Sequence, residues 1–135
     1  MKKTKLIKLN KPSVVRGFGV KDDKLIIEFE KDKIVLDSYH DQDCCEHVYA
    51  DFEIALAYKK HLSEGGEIKS LSIKGVRDMG IMLVFKGDHY LADRILIPCY
   101  DEQNGYYSSK LKLIIDHNGK KSRWDISDFV EHKFE

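Results

Sequence analysis

Apolar and polar residues alternate along most of this chain, and the alternation predicts β-hairpins. Val14 to Val20 and Lys24 to Glu30 flank Asp22-Asp23 as two strands around a tight turn. Pairing them across that turn sets Phe18 opposite Ile27, Val20 opposite Leu25 and Arg16 opposite Phe29. Leu25, Ile27 and Phe29 then share one side of the pleat, as a period of two requires. A second turn at Lys31-Asp32 returns the chain through "KIVLDSY". It would bring Ile34 opposite Phe29 and Leu36 opposite Ile27, so the apolar face continues across a three-strand meander.

The period changes once. "DFEIALAYKKHL", from Asp51 to Leu62, is the main helix predicted. Asp51 can cap its first turn, and Phe52, Ala55, Leu56 and Leu62 fall on one face. Lys59, Lys60 and His61 suit the negative end of the helix dipole, and Gly65-Gly66 terminates it. Strands follow at Ile68 to Lys74, at Ile81 to Lys86 and, after the Gly-first turn "KGDH", at Tyr90 to Cys99. The strongest local signal is Asn118-Gly119 between two alternating runs. A two-residue turn there pairs Leu113 with Trp124, Leu111 with Ile126, Lys112 with Asp125 and Asp116 with Lys121. Apolar meets apolar and opposite charges meet across the strands. The tail "SDFVEHKFE" fits a short helix capped by Ser127 or Asp128, or a further strand. The fold class is therefore α+β: a mostly antiparallel sheet of hairpins with one main helix, about 51–62, packed on it.

At 135 residues the chain is expected to form a single domain, 1–135, with a core that needs no disulfide or metal staple. Charge narrows the partners. Lys plus Arg and Asp plus Glu both number 23, whereas a strongly basic nucleic-acid binder carries a large positive excess. The exception is local. Lys2, Lys3, Lys5, Lys8, Lys11 and Arg16 fall in the first sixteen residues with no acidic residue among them, and they read as a basic N-terminal arm, about 1–12, that is solvated or meets an anion. Only Leu6, Ile7 and Leu9 follow "MKKTK", broken by Lys8, and no apolar run approaches the roughly 20 residues of a membrane helix. A soluble, cytoplasmic protein is expected, with no membrane partner and with Cys44, Cys45 and Cys99 as reduced thiols.

Two polar stretches could carry chemistry. The first is "YHDQDCCEH", Tyr39 to His47. In an extended chain Cys45 and His47 point the same way and could share zinc with His40. Cys99 or His89 would have to complete the set, and adjacent cysteines lack the spaced pairs of a zinc finger. Alternatively Cys44 or Cys45 is a nucleophile, with His40 or His47 as base and Asp43 or Glu46 orienting it. Neighbouring carboxylates disfavour the thiolate that this needs. The simplest reading is structural: a cysteine packs as a small hydrophobe and the acids face water. The second stretch is "CYDEQNGYYSS", where Asn104-Gly105 marks a turn and Tyr100, Tyr106 and Tyr107 offer aromatic surface with hydroxyl tips. "GFGVKD" and "GKKS" lack the remaining glycines of nucleotide loops.

His40, Gln42, Asp43, Cys44, Cys45 and Glu46, followed by Asn104, Gly105, Tyr106, Tyr107 and Ser108, resemble a group of small uncharacterised proteins of bacteriophages and bacterial genomes. These share a His-x-Gln-Asp-Cys-Cys-Glu block and a later Asn-Gly-Tyr-Tyr-Ser block. The resemblance spans about Leu25 to Ile115 and implies a phage or prophage setting inside the cell. It supplies no reaction. It does suggest that the blocks meet, with His40, Asp43, Cys44, Glu46, Asn104 and Tyr106 forming one site. The reading that follows is a non-enzymatic binding or accessory module with a protein partner and no cofactor. The alternatives are a zinc domain on His40, Cys45, His47 and Cys99, and a cysteine-nucleophile enzyme.

Overall fold

Strands dominate the computed structural model, which describes residues 3–39, 48–87, 90–101 and 110–132. In chain order they are β1 Thr4–Ser13, β2 Gly17–Lys21, β3 Lys24–Glu28, β4 Lys33–Tyr39 and β5 Val48–Ala50. After a helical stretch come β6 Ile68–Val76, β7 Gly80–Gly87, β8 Tyr90–Asp101, β9 Lys112–His117, β10 Lys120–Asp125 and β11 Glu131–His132. They form two sheets. The first has the order β1-β6-β7-β8-β11, with β5 also on β8, and the second has the order β10-β9-β4-β3-β2. All pairs are antiparallel except β11 with β8. The α+β, mainly antiparallel class expected from the alternation is the class observed.

Both sheets feed one hydrophobic core. Leu25, Ile27, Ile34 and Leu36 enter it from the second sheet, Ile73, Leu83 and Ile97 from the first, each fully buried. Each such side chain contributes roughly 1.5–3 kcal/mol by leaving water. Gly75 on β6 admits the Phe129 ring, because a Cβ there would land on the ring atoms. Phe129 in turn lies against Trp124 of β10, centroids 5.7 Å apart, so this contact ties the two sheets together. No helix among the described residues is long and apolar enough to cross a membrane.

The hairpins with two-residue turns follow the sequence register. Phe18 pairs with Ile27 and Val20 with Leu25, while Leu113 pairs with Trp124 and Asp116 with Lys121. Asn118 and Gly119 both take positive φ, 54° and 90°, which gives the turn whose twist matches the strands. The Ile126 amide donates to the Leu111 carbonyl, extending that register by one pair.

The β3–β4 hairpin differs. Ile34 faces Ile27 and Leu36 faces Leu25, two residues away from the expected Phe29 and Ile27. The connection is a four-residue loop, 29–32, and the Phe29 amide donates to the Asp32 carbonyl at 2.8 Å. The loop widens because its polar groups are used elsewhere. The Glu30 amide donates to Ser13 Oγ, and the Asp32 carboxylate turns inward. A slip of two keeps every side chain on its face, so the apolar side survives the change.

Asp32 joins two distant segments to its own loop. Its oxygens accept from the Asn10 amide at 2.9 Å, Asn10 Nδ2 at 3.0 Å and Asn118 Nδ2 at 3.1 Å, and Oδ1 lies 2.7 Å from His117 Nε2. Burial pushes its carboxyl pKa up. The bonds from His117, Asn10 and Asn118 outweigh that and hold it below the usual carboxylate value.

The helical segment is also altered. Phe52–Tyr58 is a 3-10 helix, and only Lys59–Ser63 (α1) is α-helical. A three-residue repeat aligns Phe52 with Ala55, both buried, and carries Leu56 off that face to 38% exposure. Asp51 makes no side-chain cap; its amide donates to the Pro98 carbonyl, which binds the start of the helix to β8. The basic stretch read as an arm is strand β1 from Thr4 onward, hydrogen-bonded to β6. The tail contains both of the forms weighed for it, a 3-10 turn at Ser127–Phe129 and then β11.

Candidate functional site

A concavity of about 580 Å³ opens between the β2–β3 turn, β4, and the chain from β5 into the helix. Val48, Ala50 and Phe52, all buried, line its apolar part together with Val20. Asp23, Asp37, Asp51 and Glu53 supply carboxylates. The local folding is legible in hydrogen bonds. The Ala50 amide reaches Ser38 Oγ at 3.4 Å, and the Asp51 amide is held by Pro98, so β5 bridges β4 of one sheet and β8 of the other. Asp23 stands at the turn with φ 61°.

Asp37 is half-buried in this groove and partly shielded from water, which pushes its carboxyl pKa up. Lys24 pulls it down and Asp23 pushes it further up, with a net rise above the ordinary carboxylate value. An apolar floor beside several carboxylates can seat an apolar group and neutralise a cation next to it.

His40, Gln42, Asp43, Cys44, Cys45, Glu46 and His47 lie outside the described residues, as do Asn104, Gly105, Tyr106 and Tyr107. The framework on either side of both blocks is described. Val48, directly after the first block, pairs with Asp101, three residues ahead of Asn104 in the second. Tyr39, directly before the first, pairs with Lys112, two residues after the described chain resumes at Lys110. Paired residues on antiparallel strands stand about 4.5–5.5 Å apart between Cα atoms. The groove begins at the same place, since Ser38 and Val48 both line it. Asp101, a fully buried carboxylate, and the Tyr49–Tyr100 ring pair, centroids 5.6 Å apart, occupy this end of β8.

Cys99, the one candidate ligand within the described residues, is fully buried on β8 opposite Ala50. Its thiol lies 3.9 Å from the Ile97 carbonyl, and burial pushes its pKa up to about 12. A thiol in that state packs as a small hydrophobe. Among the described residues no three His, Cys, Asp or Glu side chains gather as a metal site.

Sequence reasoning missed the groove because its lining comes from three separate segments, none of which carries a motif. The only local signal was the Asp-Asp turn. Searched against protein-family models, curated proteins and solved structures, the chain returns no match.

Proposed function

We propose that the protein is a non-enzymatic binding module whose ligand-contacting end comprises the groove and the two polar blocks mounted beside it. One observation carries this reading: the blocks share their anchors, Val48 with Asp101 on one side and Tyr39 with Lys112 on the other. Two segments more than fifty residues apart in sequence thus leave the framework side by side. The aromatic and hydroxyl-rich second block is a composition suited to contact surfaces. On the resemblance of the two blocks, the setting proposed is phage or prophage and inside the cell, with a protein as partner.

A double-mutant cycle tests the shared site. His40→Ala, Tyr106→Ala and the double variant are unfolded in urea, and a coupling above about 0.5 kcal/mol is expected if the blocks touch. Strict additivity would separate them and remove the basis of the reading. Metal content by mass spectrometry on chelator-free, untagged protein completes the test. Near-stoichiometric zinc that vanishes in Cys45→Ser would replace the binding module with a zinc domain. Rapid selective alkylation of Cys44 or Cys45 at neutral pH, lost on mutating His40 or His47, would replace it with a thiol enzyme.

A further inference from the structure

Pairing across the first sheet sorts its charges by face. Ile73, Leu83 and Ile95 point into the core and are fully buried. Their neighbours along each strand therefore point outward. Thr4 pairs with Lys74, Lys8 with Ser70, Ser70 with Lys86, and Val84 with Arg94, so all of these share the outer face. That face carries four cations, Lys8, Lys74, Lys86 and Arg94, each exposed. None has an ion-pair partner among the described residues. The described outward positions of β1, β6, β7 and β8 as far as Pro98 hold no carboxylate. A chain with no net charge thus carries four cations, unpaired among the described residues, on one sheet face.

We propose that this face binds the phosphate backbone of double-helical nucleic acid without regard to sequence. Strand and row spacings of about 4.8 and 6.8 Å separate the cations by roughly 8–16 Å, comparable with a major groove about 12 Å wide. Ser70 and Ser72 lie between them and Thr4 beside Lys74, and such hydroxyls, with Lys and Arg, supply most phosphate contacts. Single strands are bound on aromatic platforms, and the described outward positions of these strands up to Pro98 carry no aromatic ring. A membrane surface needs apolar groups that insert, but Leu6, 57% exposed, is the one widely exposed apolar residue among those positions, and Val84 is 8% exposed. The basic N-terminal stretch finds its role here in part, since β1 delivers Lys8 to the face, whereas Lys5 turns inward over the Trp124 ring.

The test is fluorescence anisotropy of the full chain with a short labelled DNA duplex, between about 50 and about 200 mM salt. Four phosphate contacts give a log–log slope of about −3.6, a loss of affinity of about 100-fold over that range. Lys74→Gln with Arg94→Gln should halve the slope to about −1.8, each cation accounting for about one contact. These side chains are exposed, so the thermal midpoint should stay unchanged. Lys24→Gln with Lys121→Gln, on the other sheet, should leave binding as it was. Absence of duplex binding at the low-salt end would overturn the proposal. So would a slope unmoved by the double variant, or tighter binding to oligo-dT of equal length. Capture by phosphatidylserine vesicles or by polyglutamate with no capture by the duplex would reassign the face to a membrane or to an acidic protein.

Discussion

Asp32 concentrates long-range contacts of the fold in one side chain. Its carboxylate is buried and receives four hydrogen-bonding groups from residues 22 and about 85 positions away. Asp32→Ala would leave the Asn10 and Asn118 donors without their acceptor. The expected loss is about 2–4 kcal/mol in urea unfolding at neutral pH. The pH dependence has a definite sign. The folded-state pKa lies below the ordinary aspartate value of 3.8, so the native state favours the ionised form. The stabilisation is complete above the unfolded-state value and is lost as pH falls through the folded one. The difference between wild type and Asp32→Ala should therefore hold well above pH 3.8 and shrink below it; a difference that grew in acid would contradict the assignment. None of this was legible in the sequence, where Asp32 is one polar residue in a turn. A carboxylate's burial depends on which distant donors arrive, and no local pattern encodes that.

Elements were legible in proportion to how local their causes are. Asn118-Gly119 and Asp22-Asp23 specify tight hairpins within a few residues, and both registers follow. The 29–32 loop owes its length to Ser13 and Asn10, so the expected register moved by two. "KKTKLIKLNK" reads as an arm on its run of positive charge, and it alternates poorly as a strand, with Leu6 facing out and Lys5 facing in. Pairing with β6 overrides that weak pattern. The crossing at Gly75 is another element-scale fact, resting on the Phe129 ring seated where a Cβ would be. Gly75→Ala should cost about 1–3 kcal/mol by overpacking. Combined with Phe129→Ala it should cost less than the sum of the two single changes, because the second change makes room for the methyl. Additive losses would show that the crowding is relieved elsewhere.

At the scale of the molecule, zero net charge conceals two poles, a cationic sheet face and a groove lined by four carboxylates. Such a charge distribution should make molecules attract one another near neutral pH at low ionic strength. The attraction should fade near 0.15 M salt, where the screening length is about 8 Å. Light scattering should give a negative second virial coefficient that rises with salt; a salt-independent value would mean that the poles are too weak to matter. The candidate site was legible only as two polar blocks. Their shared anchoring depends on pairings between residues far apart, which composition and spacing do not show. The same long-range pairing governs how the protein is made. β4 finds its second neighbour only in β9, and Asn118 reaches back 86 residues to Asp32. During vectorial synthesis the Asn10–Asp32 end leaves the ribosome well before its C-terminal partners exist, and β4 waits with an open, sticky edge. Synthesis of Lys112–Asp125 therefore completes the second sheet, and a ribosome stalled before it holds an aggregation-prone nascent chain.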